Sequence, residues 1–87
     1  MKTKAKIMIV DDAEMNREIL MVILGDEYEY VQAENGRQAI HILQQDMNID
    51  LMLLDINMPE MNGFQVLDRM NTFHWINDIP VIMISSE

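Results

Sequence analysis

The sequence predicts an α/β protein in which helices cover both faces of a parallel β-sheet. Short apolar runs, each nearly continuous, alternate along the chain with segments whose apolar residues have helical spacing. The resulting order is strand, helix, strand, helix, strand, helix, strand. Because strands that are apolar on both sides must be buried on both faces, this order indicates a parallel sheet between layers of helices.

The first strand is the run KIMIV, Lys6–Val10, which ends at two consecutive aspartates, Asp11 and Asp12. A helix is predicted from Ala13 to Leu24, and Gly25 closes it. The apolar residues of this segment that follow helical spacing are Met15, Ile19, Val22 and Ile23. A pair of carboxylates therefore lies at the junction between the first strand and the first helix.

The second strand is YEYVQA, Tyr28–Ala33, in which apolar and polar residues largely alternate. Asn35 and Gly36 form a turn, and the asparagine is a suitable N-cap for a helix over Arg37–Gln45. This second helix is amphipathic, and the residues on its apolar side are Ala39, Ile40 and Leu43.

The third strand, Leu51–Leu54, is apolar throughout and stops at Asp55. A third helix is predicted over Gly63–Met70, and a fourth strand over Pro80–Ser86. The proline is acceptable because it occupies the first position of that strand. The residues of the third helix that we expect to face the core are Phe64, Leu67 and Met70.

The composition fits one small domain over residues 1–87. With 49% hydrophobic residues the chain can form a core, and without cysteine it has neither disulfides nor thiolate metal ligands. We expect a cytoplasmic protein, because the sequence shows no membrane span and no signal peptide. The net charge of −9 disfavours nonspecific binding to nucleic acid and favours metal ions or basic partners, although solvation of helix faces is the commoner reason for such a charge.

Polar side chains follow three of the four predicted strands. Asp11 and Asp12 follow the first strand, Asp55 follows the third, and Ser85 and Ser86 end the fourth. In open parallel sheets, ligands bind outside the carboxyl ends of the strands, where the strand order reverses. Clustered carboxylates repel one another unless a cation neutralises them, and Mg²⁺ prefers oxygen ligands. The sequence therefore predicts a magnesium site at this edge.

Simpler interpretations remain open for the same residues. Asp11 or Asp12 is also a suitable cap for a helix that begins near Ala13. Pro59 and Gly63 fit an ordinary turn, because proline restricts the residue before it and glycine tolerates strained backbone angles. Two adjacent aspartates together with a third after another buried strand favour the metal site over capping.

Four motifs, in the right order and at suitable distances, resemble one family. They are the DD pair after IMIV, then AENGRQAI, LLDINMPEMNG and PVIMISSE. Together they cover essentially the whole chain and are similar to the receiver domain of bacterial two-component response regulators, the CheY-like family. The resemblance implies a flavodoxin-like, doubly wound parallel sheet whose phosphoacceptor aspartate takes a phosphoryl group from a histidine kinase or a phosphotransfer protein.

The resemblance also implies roles for individual residues. Asp55 would be the phosphoacceptor, Asp12 a direct ligand of Mg²⁺, and Asp11 a member of the acidic pocket that reaches the metal through water. The backbone carbonyl of Asn57 would complete the ligands from the protein, and Mn²⁺ is an alternative ion. Such a domain catalyses its own phosphorylation and dephosphorylation and is not a conventional enzyme.

Further roles follow from the same resemblance. Ser85 would be the hydroxyl that moves toward the phosphoryl group, and the small Ser86 would let a backbone N–H approach it. Pro59 and Gly63 would shape the loop beside the acceptor. Family members with Asn and Glu at the positions matching Asn57 and Glu87 hydrolyse the phosphoaspartate readily, which implies a short-lived signal.

The chain also departs from the family pattern. Receiver domains continue after the PVIMISSE segment with a fourth helix, a fifth strand and a fifth helix, and that part supplies a lysine that contacts the phosphoryl group. We therefore expect a C-terminally truncated receiver domain of four strands and three helices, with impaired phosphorylation. The six basic residues do not replace that lysine, since three lie at the wrong end of the first strand and three within helices. They are Lys2, Lys4, Lys6, Arg17, Arg37 and Arg69.

Three classes of function remain. The first is a phosphoacceptor switch, whose output domain or target is unknown and which binds neither nucleic acid through this segment nor a membrane. The second is an interaction or oligomerisation module that is independent of phosphorylation, because the fourth strand would be an exposed edge that favours self-association or segment exchange. The third is a phosphohydrolase of the haloacid-dehalogenase type, which the Asn at position 57 disfavours because the general acid is missing.

Overall fold

The computed structural model describes residues 4–85, and these form four strands, three α-helices and one short 3₁₀-helix. The elements are β1 (Lys6–Val10), α1 (Glu14–Leu24), β2 (Glu29–Ala33), α2 (Gly36–Gln45), β3 (Leu51–Asp55), α3 (Gly63–Thr72), the 3₁₀-helix (Trp75–Asn77) and β4 (Val81–Ile84). The alternation of strands and helices agrees with the prediction, and the 3₁₀-helix was not predicted. Within residues 4–85, no helix combines the length and the apolar character needed to cross a membrane.

The four strands form one parallel sheet with the order β2-β1-β3-β4. Because all strands run in the same direction, their carboxyl ends lie at one edge of the sheet. The register places Val10 opposite Leu54 and Asp55 opposite Ile84. The predicted doubly wound α/β fold, with four strands and three helices, is confirmed.

Helices cover the sheet on both faces, as the continuous apolar strands required. One face carries the larger cluster of buried side chains, to which α2 and α3 contribute. The other face carries Ile7, Ile9 and Leu53, which pack against the side chains that α1 presents. Alternate residues of β1 and β3 therefore enter different clusters, so each of these strands is buried on both sides.

The start of α2 agrees with the sequence. The side chain of Asn35 accepts a hydrogen bond of 2.8 Å from the backbone N–H of Gln38, so the predicted N-cap is confirmed. The residues predicted to face the core, Ala39, Ile40 and Leu43, are all buried.

The buried face of α1 differs from the sequence prediction. The residues whose spacing predicted this helix are exposed to between 49% and 80%: Met15, Ile19, Val22 and Ile23. Its core-facing stripe instead contains Leu20, Met21 and Leu24, together with the buried Arg17. Since both stripes are apolar and both have helical spacing, periodicity alone does not distinguish the inner stripe from the outer one.

The orientation of α3 is also partly different from the prediction. Met70 is fully buried and Leu67 is half-buried, but Phe64 is 59% exposed, so its predicted inward position was wrong. Val66 is buried in its place and packs beside the first residue of α2. The small Gly36 allows α2 to approach α3 closely at Val66.

Candidate functional site

Three carboxylates meet at the carboxyl edge of the sheet. Asp11 and Asp12 follow β1, Asp55 ends β3, and one carboxylate oxygen from each lies within 4.8 Å of the others. Asp11 and Asp55 are almost fully buried, at 3% and 2% exposure, while Asp12 is exposed. The adjacency of β1 and β3 brings the three groups together, as the sequence predicted from their positions at strand ends. Three carboxylate oxygens at this separation are a donor set that suits a divalent cation.

Capping of α1 does not explain the two adjacent aspartates. The N-cap of α1 is Ala13, and its side chain offers no capping hydrogen bond. The carboxylate of Asp11 instead accepts a hydrogen bond of 2.9 Å from the backbone N–H of Ala13, two residues on. This local turn directs one Asp11 oxygen toward its own backbone and leaves the exposed Asp12 facing solvent.

The main chain of Asp11 is hydrogen-bonded to the two neighbouring elements β2 and α1. The backbone N–H of Asp11 donates to the carbonyl of Ala33 at the end of β2, at 3.1 Å. The carbonyl of Asp11 accepts a hydrogen bond of 2.6 Å from Nη1 of Arg17, which is buried on α1. Sequence reasoning missed this contact, although Arg17 falls at helical spacing with Leu20, Met21 and Leu24. An arginine within an apolar stripe was the available signal.

The loop after β3 begins with a turn around Asp55. The backbone N–H of Asn57 donates to Oδ1 of Asp55 at 3.2 Å. Further along, the N–H of Met61 donates to the carbonyl of Pro59 at 2.7 Å, and Glu60 between them has a positive φ of 66°. These contacts place Pro59 within a tight turn in the loop that follows Asp55.

Gly63 closes this loop by packing against the backbone of Asp55. Its N–H donates to the carbonyl of Ile56 at 3.0 Å. A Cβ added to Gly63 would lie 2.5 Å from the carbonyl oxygen of Asp55 and 2.9 Å from Cα of Ile56, so only glycine fits here. The helix that follows has a complete capping box, in which the side chain of Asn62 and that of Gln65 each accept from the other's backbone N–H.

The fourth strand brings Ser85 to the same edge of the sheet. Ile84 lies opposite Asp55 in the register, and Ser85 follows it as an exposed residue. Ser86 and Glu87 lie outside the described residues. The basic side chain of β1 lies elsewhere, since Lys6, which begins that strand, pairs with Asp46 at 3.0 Å and so remains at the amino end of the sheet.

The comparisons with known proteins agree with this geometry. The family described as the response regulator receiver domain matches residues 7–87. The two-component response regulator ORR3 of Oryza sativa is 32% identical over 82 residues, which are 93% of this chain and 63% of that protein. The chain therefore spans less than two thirds of the length of this relative.

Solved structures show the same arrangement of strands and helices. The chemotaxis response regulator CheY4 of Vibrio cholerae has a TM-score of 0.86 and 31% identity, and the match covers 98% of this chain and 71% of CheY4. The response regulator TrrA of Thermotoga maritima, solved in complex with Mg²⁺–BeF, has a TM-score of 0.84 and 33% identity over 95% of this chain and 70% of TrrA. With the parallel sheet and three converging aspartates, these matches show that the chain belongs to the response regulator receiver domain family of two-component signalling.

Proposed function

We propose that this chain is a phosphoacceptor switch module in which Asp55 receives a phosphoryl group from a histidine kinase or a phosphotransfer protein. The observation that supports it most directly is the convergence of Asp11, Asp12 and Asp55 within 4.8 Å at the carboxyl edge of the sheet. Asp55 lies deepest among them, at the end of a buried central strand. A rigid strand suits an acceptor, because phosphoryl transfer depends on positioning.

The proposed reaction is a single displacement at phosphorus. A carboxylate oxygen of Asp55 forms the new P–O bond while the P–N bond to the donor imidazole breaks, and the imidazole leaves with the electron pair. The N–H of Asn57 donates to Oδ1 of Asp55 at 3.2 Å, which helps to orient the carboxylate for the attack. The loop closed by Gly63 keeps this carboxylate at a fixed place on the strand.

The same three aspartates would hold Mg²⁺, and Mn²⁺ fits the same oxygen donors. In this proposal Asp12 is a direct ligand, Asp11 acts through water, and the carbonyl of Asn57 completes the set. When bound, the ion supplies positive charge that offsets the negative charge on the transferred oxygens. Ser85, at the same edge, would then sense the phosphoryl group and bias the surface of the domain between two states. The backbone of Ser86 would assist, and Asn57 with Glu87 would favour rapid hydrolysis.

We expect slow phosphorylation within these 87 residues, because the described part of the chain has no lysine at the site. Lys4 donates to the carbonyl of Asp26 and Lys6 pairs with Asp46, both away from the carboxyl edge. Incubation with acetyl phosphate and Mg²⁺, followed by intact-mass measurement, tests this. Uptake of one phosphoryl group, slower than by a full-length relative, is the expected result. Uptake at the relative's rate would refute the impairment, and no uptake at all would refute the acceptor function of this chain.

A second candidate function is self-association through β4. This strand is an edge of the sheet, and its residue Ile82 is 52% exposed. The carbonyls of Pro80 and Ile84 accept bonds from β3, so the alternating N–H and C=O groups of Val81 and Met83 point away from the sheet. An apolar edge without charge or bulge recruits another strand, from a second copy or by segment exchange.

The substitution Met83→Pro removes an outward N–H without breaking a bond to β3. We expect light scattering to show assemblies larger than a monomer for the unchanged chain and for Met83→Ala, which loses the same side-chain packing. Met83→Pro should shift the population to monomer. A monomeric unchanged chain at millimolar concentration would exclude this candidate and leave the phosphoacceptor function untouched.

A further inference from the structure

The proposed chemistry does not explain why the guanidinium of Arg17 is buried. Arg17 is only 9% exposed, although it lies on a helix with a solvent-facing side. Its Nη1 donates to the backbone carbonyl of Asp11 at 2.6 Å, and its Nε donates to Oε1 of Gln32 at 3.0 Å. Neither acceptor is charged, and removing an ionised group from water is costly unless its partners compensate. The burial of this charged guanidinium therefore indicates a specific role for Arg17.

We propose that Arg17 is a positioning residue for the cation site, because it fixes the peptide unit that joins Asp11 to Asp12. The inference rests on the proposed function, since it concerns the same acidic site. The carbonyl of Asp11 lies in the plane of the Asp11–Asp12 peptide bond, and this bond is rigid. A hydrogen bond to that oxygen therefore sets the direction in which the chain continues to Asp12.

The contacts of Asp11 leave its main chain little freedom. The N–H is bonded to the carbonyl of Ala33 at 3.1 Å, and a carboxylate oxygen is bonded to the N–H of Ala13 at 2.9 Å. The side-chain amide of Asn16 also donates to the carboxylate, at 3.4 Å to Oδ2 and 3.5 Å to Oδ1, and the carbonyl accepts from Arg17. With these groups bonded, the Asp11 carboxylate and the main chain that leads to Asp12 are held in place before any cation arrives. Prior placement of ligands lowers the conformational cost of binding.

Gln32 gives the guanidinium its own orientation. Gln32 belongs to β2, so the chain of bonds from its amide through Arg17 to Asp11 joins β2, α1 and the end of β1. A planar guanidinium with two fixed donors has a defined direction, which a single lysine ammonium does not. Arg17 can therefore hold the Asp11 carbonyl in one direction, next to the cation site.

The direction in which cation affinity changes when Arg17 is replaced distinguishes a positioning role from a purely electrostatic one. Removing a positive charge near three carboxylates strengthens their attraction for a divalent cation, by Coulomb's law. Removing a group that positions the ligands weakens binding instead. Partners that orient metal ligands typically change affinity by about 10- to 100-fold when they are removed. Weaker binding by a variant that has lost a positive charge therefore identifies a positioning role.

The test measures Mn²⁺ binding to the 87-residue chain by electron paramagnetic resonance of the free ion. The main variant is Arg17→Met, which keeps much of the aliphatic stem and removes every donor. Gln32→Leu changes an exposed residue and releases only the bond to Nε, so it serves if Arg17→Met fails to fold. Arg37→Met removes the same charge from an exposed position on α2 and is the matched control. Urea unfolding of each variant confirms that the folded state is being measured.

We expect the Mn²⁺ dissociation constant of Arg17→Met to rise about 10-fold, in the range typical of groups that orient metal ligands. Gln32→Leu should show a smaller rise, Arg17→Lys should recover part of the affinity, and Arg37→Met should match the unchanged chain. Equal or tighter binding by a folded Arg17→Met, or by Gln32→Leu where Arg17→Met does not fold, overturns the inference while the proposed metal site stands. Absence of Mn²⁺ binding by the unchanged chain overturns the metal site itself, and the inference with it.

Discussion

Asp55→Asn is expected to abolish uptake of a phosphoryl group from acetyl phosphate while the domain remains folded. The amide keeps the size of the carboxylate and can still accept the hydrogen bond from the N–H of Asn57, but it is not a nucleophile toward phosphorus. Removing one of three clustered carboxylates also relieves mutual repulsion, so the free energy of unfolding should stay constant or increase. Labelling should therefore fall to background without loss of structure.

Asp68→Asn is the matched control for this substitution. Asp68 is an exposed aspartate on α3, outside the group of three carboxylates, so its replacement should leave labelling unchanged. Intact-mass measurement after incubation with acetyl phosphate and Mg²⁺ gives the extent of labelling, and borohydride capture with peptide mapping gives its position. Labelling of Asp55→Asn at the level of the unchanged chain would mean that another residue is the acceptor.

Gly63→Ala is expected to lower the free energy of unfolding by about 2–3 kcal/mol, the upper part of the range for overpacking a well-packed site. The added Cβ would lie 2.5 Å from the carbonyl oxygen of Asp55, and the nearest atoms that it meets are all backbone atoms of Asp55 and Ile56, which have little room to adjust. Alanine is otherwise the better helix former, by about 0.5–1 kcal/mol. A loss of stability would therefore report the clash, which displaces the backbone of Asp55.

Gly36→Ala provides the comparison, because Gly36 is likewise the first residue of its helix. There the added Cβ meets side-chain atoms, Cγ2 of Val66 at 2.7 Å and Sδ of Met61 at 2.9 Å. A methionine side chain moves more easily than backbone, so we expect a smaller loss of stability than at Gly63. Urea unfolding curves of the two variants measure the difference. Equal losses would show that Gly63 has no special part in fixing the loop beside Asp55.

The layers of the fold could be predicted because β1 and β3 are apolar on both sides. No other arrangement buries such strands as well as a sheet between helices. The inner face of α1 could not be predicted in the same way, because Leu20, Met21 and Leu24 and the outer apolar residues have equally good helical spacing. Which stripe is buried depends on contact with Ile7 and Ile9, and this contact exists only in the assembled fold.

The candidate site, like the fold, could be predicted only in part. The meeting of Asp11, Asp12 and Asp55 could be predicted because parallel strands share one edge for their carboxyl ends. The contact from Arg17 to the Asp11 carbonyl was not predicted, because an arginine within an apolar stripe indicates burial but does not identify the backbone oxygen that it contacts. The sequence predicted only a turn at Gly63. The structure shows that glycine is needed there because it packs against the backbone of Asp55, eight positions earlier in the chain.

The most direct test of the account is an NMR titration of the isotopically labelled 87-residue chain with Mg²⁺, at constant ionic strength. If the three aspartates bind Mg²⁺, the backbone amide signals around Asp11, Asp12 and Asp55 will show saturable shifts, and Asp12→Asn will lose them. Shifts that do not saturate, or that centre on the acidic residues at the opposite end of the sheet such as Asp46 and Asp50, would contradict binding at the three aspartates.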